Sequence, residues 1–93
     1  MMTDFLSELV NLIADRKANP KPGSYTNQLL ADRPKAAQKV GEEATEVVVA
    51  ALAQSDDRLV EEMADLIYHS LVLLEASDVS WAQVVAALEK RHR

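Results

Sequence analysis

Residues that break regular structure are scarce in this chain and unevenly spread. Of its 2 Gly and 3 Pro, three fall within Asn19-Pro20-Lys21-Pro22-Gly23, the one stretch that reads as a loop. So few turn formers exclude a many-stranded sandwich or barrel. Hydrophobic residues make up 48% of the 93 positions, enough for a core and too many for a disordered chain. That length suits one small domain, residues 1–93. With no Cys, a disulfide scaffold, a thiolate zinc site and a cysteine nucleophile are excluded. The 15 acidic and 10 basic residues leave a net charge of −5, which argues against nucleic acid as a partner, since that requires a basic face. No apolar run reaches membrane length, and Met1-Met2-Thr3-Asp4 lacks the basic start of a signal peptide. The expectation is a cytoplasmic protein with no membrane partner.

Periodicity divides the chain into helices. Phe5, Leu9, Leu12 and Ile13 lie at i, i+4, i+7 and i+8 and mark a first amphipathic helix, capped by Thr3 or Asp4 and ended before Asn19. Thr26 is positioned to cap a short helical turn carrying Leu29 and Leu30. Asp32 followed by Pro34 opens a second long helix that runs to about Gln54. Its Val47-Val48-Val49-Ala50-Ala51-Leu52-Ala53 is apolar on every side and is expected to be buried all round, although three successive valines are also strand-like. Ser55-Asp56-Asp57 supplies the next turn and cap. The helix after it carries Leu59, Met63, Leu66, Ile67, Ser70 and Leu74 in one stripe. Ser80-Trp81-Ala82-Gln83 fits a capping box for a last helix, whose basic end Lys90-Arg91-His92-Arg93 suits the negative end of a helix dipole. The fold class is all-α, a small helical bundle. Two of its helices are apolar on more faces than one neighbour covers, so a second copy of the chain is expected to complete it as a homodimer.

Acidic residues concentrate on those same two helices: Glu42, Glu43 and Glu46, then Glu61, Glu62 and Asp65. Glu43 and Glu46 are i, i+3 and project from one helical face. Glu62 and Asp65 repeat that spacing. A short turn between the helices makes them antiparallel, which brings the two pairs together. Carboxylates so close repel and are costly to desolvate in an apolar groove, and a divalent cation answers both costs. Hard oxygen ligands without Cys favour Mg²⁺, with Mn²⁺ as substitute, over zinc. A solvated acidic face is the alternative. Glu42 and Glu61 point about 100° away from the paired acids and are outer groups of the site or solvent-facing. His69 follows Asp65 on the same face, as an orienting or substrate-contacting group or as a satisfied core histidine. Lys39, Lys35 and Arg33 are phosphate contacts or partners in exposed salt bridges. Tyr68 and Trp81 read as core or interface.

Lys39-Val40-Gly41-Glu42-Glu43-Ala44-Thr45-Glu46 with Glu62-Met63-Ala64-Asp65-Leu66-Ile67-Tyr68-His69 resembles the phosphoribosyl-ATP pyrophosphatase family. This family is the histidine-biosynthesis branch of the all-α nucleoside triphosphate pyrophosphatase (MazG-like) superfamily. The superfamily signature, Glu-Glu-x-x-Glu followed by Glu-x-x-Asp, stands at Glu42–Glu46 and Glu62–Asp65. Ser24-Tyr25-Thr26, the Lys35/Lys39 spacing and Tyr68-His69 narrow the resemblance to this branch, and it extends over about positions 5 to 91. One departure is Asp32-Arg33-Pro34, where family members usually carry a Gly ahead of the first lysine. The resemblance implies Mg²⁺-dependent hydrolysis of 1-(5-phosphoribosyl)-ATP to 1-(5-phosphoribosyl)-AMP and pyrophosphate, in a stand-alone rather than fused form. It also implies Glu43, Glu46, Glu62 and Asp65 as metal ligands, and Glu42, Glu43 and Glu46 as catalytic carboxylates. Ser24, Thr26, Lys35, Lys39 and His69 would then bind substrate. A house-cleaning pyrophosphatase for other nucleoside triphosphates is the nearest rival reading, and a non-catalytic helical interaction module the more distant one.

Overall fold

Every helix in the computed structural model, which describes residues 4–93, begins at a short polar side chain. Asp4, Ser24, Asp32, Ser55 and Ser80 each accept a hydrogen bond from the backbone N–H three residues on, satisfying a donor the first turn leaves free. The helices they open are α1 (Phe5–Ala18), α2 (Tyr25–Leu30), α3 (Arg33–Ala53), α4 (Asp56–Ala76) and α5 (Trp81–His92). No strand is present among the described residues, so the valine run stays helical inside α3. Thr3, the alternative cap for α1, lies outside the described residues. The cap of α2 is Ser24 and not the expected Thr26. Gly23, at φ +79°, turns the chain so that Ser24 leaves the loop extended, its hydroxyl facing the Asn27 N–H. The Ser80–Gln83 capping box forms in both directions.

Only Gln54 and Ser55 separate α3 from α4, so the two 21-residue helices fold back on each other as an antiparallel hairpin, the most extensive contact in the chain. Helices α1 and α2 lie against each other and against α4, and α5 leaves α4 through a 113° bend. Lys17 of α1 ties that bend down: its ammonium donates to the Glu75 carbonyl at 2.8 Å and pairs with Asp78. Asp78 occupies the left-handed region at φ +57°.

The core is Ile13, Leu29, Ala36, Leu71 and Val72, with Leu6, Leu9, Val10, Leu30, Tyr68, Leu73 and Trp81 packed around it. Three apolar expectations shift here. In α1 the buried face runs through Leu6, Leu9, Val10 and Ile13, while Phe5 and Leu12 stand out in solvent. Positions 5 and 12 share one flank of the helix, and α2 and α4 cover the neighbouring one. In α4 the deeply buried aliphatics are Leu71 and Val72, whereas Met63 and Ile67 of the expected stripe are exposed. In α3 only Ala50 of the Val47–Ala53 run is buried, and Val48, Val49 and Leu52 are exposed. Along this run α4 is the main neighbour of α3, and the opposite side stands open among the described residues.

Candidate functional site

The hairpin sets the acids of α3 against those of α4. One carboxylate oxygen each from Glu43, Glu62 and Asp65 lie within 4.8 Å of one another. Glu62 is the buried member, Glu43 is partly covered and Asp65 is open to solvent. Burial pushes the Glu62 carboxyl above its ordinary range; Arg58 opposes the rise, and the charges of Glu43, Asp65 and Glu46 add to it. Glu46 therefore sits close enough to be felt, yet it is exposed and outside the three-carboxylate group.

Protein cations flank this group on both helices. Lys39 lies 3.4 Å from Glu42 Oε1 and 3.8 Å from Glu43 Oε1. Its ammonium is held above its usual range first by the hydrogen bond to Glu42, against some desolvation, and further by the Glu42 and Glu43 charges. Glu42 lies on the solvent shoulder of the site. It accepts from Gln38 Nε2 at 2.8 Å and from Lys39, and these bonds, that of Gln38 foremost, hold its carboxyl below the usual range. Lys35 is exposed one turn before Lys39, and its charge also reaches Glu42. On α4, Arg58 reaches Glu61 Oε1 with Nη1 at 2.6 Å and Glu62 Oε1 with Nη2 at 2.7 Å.

Helix α2 is tied to α4 beside the acids. His69 is buried, and its Nδ1 lies 2.8 Å from the Asp65 carbonyl oxygen. A carbonyl only accepts, so Nδ1 carries a proton, and in the neutral ring Nε2 accepts from the Tyr25 hydroxyl at 3.0 Å. Both ring nitrogens are thus committed within the protein, and His69 faces the site through Tyr25. The Thr26 and Tyr68 hydroxyls hydrogen-bond to each other, and the His69 ring meets Tyr25 and Tyr68 edge-on at 5.9 and 5.0 Å. The Ser24 hydroxyl serves as the cap of α2.

Of the expected site residues, Glu43, Glu62 and Asp65 converge, with Glu42, Lys39 and Lys35 alongside. Ser24, Thr26 and His69 belong to the α2 tie. Arg58 and Tyr25 are the groups that sequence reasoning passed over; Arg58 precedes Glu62 by four residues, the helical ion-pair spacing. Three carboxylate oxygens with no sulfur and no free imidazole form a hard donor set, and a carboxylate raised first by burial and further by like-charged neighbours is one that positive charge would relieve. The site therefore fits a hard divalent cation. It is an open face: a groove of about 580 Å³ lies elsewhere, between α1 and α5, lined by Val10, Trp81 and Val85 among others.

Comparison with known proteins gives a consistent result. A family model described as phosphoribosyl-ATP pyrophosphohydrolase matches residues 6–92. The chain is 42% identical over 95 residues to the phosphoribosyl-ATP pyrophosphatase of Methanocella arvoryzae, covering 99% of this chain and 100% of that protein. It is 52% identical over 87 residues to the phosphoribosyl-ATP pyrophosphatase of Lactiplantibacillus plantarum, covering 92% and 82%. It is also 50% identical over 91 residues to a histidine biosynthesis bifunctional protein of Gloeobacter violaceus, where the match covers 97% of this chain and 41% of that protein.

Proposed function

Because the chain belongs to the phosphoribosyl-ATP pyrophosphohydrolase family, we propose that it hydrolyses 1-(5-phosphoribosyl)-ATP to 1-(5-phosphoribosyl)-AMP and pyrophosphate in histidine biosynthesis, with Mg²⁺ as cofactor and Mn²⁺ as a substitute. The reaction opens the anhydride between the α and β phosphates. A water oxygen bonds to one of the two phosphorus atoms, the bridging oxygen leaves with the other, and the protons pass to nearby carboxylates and solvent.

Glu43, Glu46, Glu62 and Asp65 hold the cation in this reading. When bound, it neutralises phosphoryl oxygens and stabilises the attacking and leaving oxygens. Glu42, Glu43 and Glu46 line the α3 side, where a carboxylate orients the water and takes its proton. Lys39 and Lys35 present ammonium groups to the phosphates. Ser24, Thr26 and the Tyr25–His69 pair form the α2 wall against which the nucleotide rests. A nucleotide, not a nucleic acid, is the partner. No single helix among the described residues is long and apolar enough to cross a membrane, and we place the reaction in the cytoplasm. A second copy of the chain covers the aliphatic face of the hairpin, where Val48, Val49, Leu52, Val60, Met63 and Ile67 are exposed.

The observation that carries this reading is the convergence of Glu43, Glu62 and Asp65 in a chain matching the family from residue 6 to residue 92. The test is pyrophosphate release from phosphoribosyl-ATP beside a panel of ordinary nucleoside triphosphates, with Mg²⁺ and with EDTA. Turnover of phosphoribosyl-ATP that EDTA abolishes is expected. Preference for the ordinary triphosphates would transfer the site to a house-cleaning role, and silence on every substrate would overturn the assignment.

A further inference from the structure

The acidic group assigned above already has protein cations in contact with it. Arg58 stands one helical turn before Glu62, and its guanidinium is divided between Glu61 and Glu62 at 2.6 and 2.7 Å. The two partners differ in setting. The Glu61 side chain is 61% exposed, so that bond competes with water, whereas the Glu62 side chain is 8% exposed and shares its space with Glu43 and Asp65. Arg58 itself is 48% exposed, rooted near the start of α4 with its charged end at the solvent edge of the acidic group. Lys39 holds the matching position on α3, against Glu42 and Glu43.

Resting on the reading of this group as a divalent-cation site, we infer that Arg58 is a displaceable counter-ion. It neutralises Glu62 in the metal-free chain, gives that carboxylate up when a divalent cation engages it, and turns its freed guanidinium toward the pyrophosphate end of the substrate. Glu62 cannot give its full charge to two cations, and a small divalent ion in direct contact with the oxygen outcompetes a guanidinium. Once the Glu62 charge is drawn away, the remaining hold on Arg58 is the exposed Glu61 contact, which is weak. A planar guanidinium donates to two phosphate oxygens side by side. With Lys39 opposite, the diphosphate would be gripped from both helices of the hairpin. The alternative role, a fixed arginine that orients Glu62 for the metal, makes the opposite prediction for metal affinity, and so the sign of one measurement separates them.

The experiment is calorimetric titration of Mn²⁺ into the full chain and into Arg58→Gln, followed by titration of preformed manganese–pyrophosphate into the Mn²⁺-loaded proteins. Arg58→Gln is expected to bind Mn²⁺ about three- to tenfold more tightly, the range a lost competing ion pair allows. Its melting temperature should rise more on adding Mn²⁺, and its affinity for manganese–pyrophosphate should fall about tenfold or more, as expected for a lost charge-assisted pair of bonds. Unchanged or weaker Mn²⁺ binding, or undiminished pyrophosphate binding, overturns the inference. If Arg58→Gln does not fold without metal, Arg58→Lys tests the second half of the inference: it keeps the competing charge and loses the fork, so Mn²⁺ should bind about as in the parent while manganese–pyrophosphate binds more weakly, and undiminished pyrophosphate binding overturns the inference. Failure of the unsubstituted chain to bind Mn²⁺ would instead overturn the cation site itself, and the displacement with it.

Discussion

The two halves of α4 live in opposite surroundings. Toward its C-terminus, Leu71 and Val72 are buried with Ile13 and Leu29 in a dry core. Toward its N-terminus the same helix buries Glu62 beside two other carboxylates and leaves Val60, Met63 and Ile67 68%, 40% and 41% exposed. Folding alone favours the first arrangement and opposes the second, because desolvating a carboxylate costs and burying aliphatic surface stabilises. One half holds the chain together. The other keeps charge and apolar surface in reserve for a cation, a substrate and a second copy.

The largest effect should come from the core that the stabilising half of α4 shares with α2. Leu29 is fully buried, and Leu29→Ala is expected to cost about 2–5 kcal/mol, a large part of the roughly 5–15 kcal/mol that holds a typical domain. Urea unfolding would show a much lower midpoint, with turnover per folded molecule retained. A midpoint within error of the parent would mean the core is not where the stability lies. Asp65→Asn is the converse. It should lower turnover more than about 100-fold, exceeding the usual cost of disturbing an outer-shell group, and should erase any Mn²⁺-dependent rise in melting temperature. In EDTA its urea midpoint should hold or rise, since one of the like charges acting on Glu62 is gone. A variant that lost stability and kept turnover would reverse the roles given to the two halves.

Leu52→Glu comes next in size. Leu52 is 83% exposed in the single chain, so the substitution should change the stability of that chain by no more than about 0.5 kcal/mol. Its effect should show in sedimentation instead, as a shift from dimer to monomer. Identical profiles for variant and parent would leave the aliphatic face of the hairpin without the partner proposed for it.

The sequence was most legible where the physics is local. Asp32 before Pro34, Ser55 and the Ser80–Gln83 box mark their helix starts because a cap involves only residues three apart. The i, i+3 acids were legible for the same reason, and a two-residue turn was enough to bring Glu43 to Glu62 and Asp65. What was not legible depended on neighbours. Whether Leu9 pairs with Leu12 or with Leu6 and Val10 is decided by which side of α1 meets α2 and α4, and both stripes satisfy a helical period. The same holds for Met63 and Ile67, which fit an apolar stripe and are only partly covered by the described residues. Arg58 carried a signal in its four-residue distance from Glu62, but that spacing is common on solvated helices and marks no site by itself. Tyr25 was legible only as part of the Ser24-Tyr25-Thr26 motif, and its link to His69 was not, because that link spans 44 positions.

The smallest expected effect lies outside both halves of α4, at the bend that follows them. Asp78 pairs with Lys17, and that hydrogen bond and charge hold its carboxyl below the ordinary range. A carboxyl depressed in the folded state contributes stability that is present above its unfolded pKa and lost as pH falls through the folded one. The contribution should therefore be present at neutral pH and fade below about pH 4, the ordinary aspartate range. Asp78→Asn isolates the charge, because asparagine also tolerates the left-handed conformation at φ +57°. Its melting temperature should fall slightly below the parent's at pH 7 and meet it in acid, as expected for an exposed pair. A gap that persisted or widened in acid would show that the bend depends on Asp78 for its backbone geometry and not for its charge. In that case Asp78→Gly, which frees the left-handed position and also removes the ion pair, should match or exceed the parent at every pH.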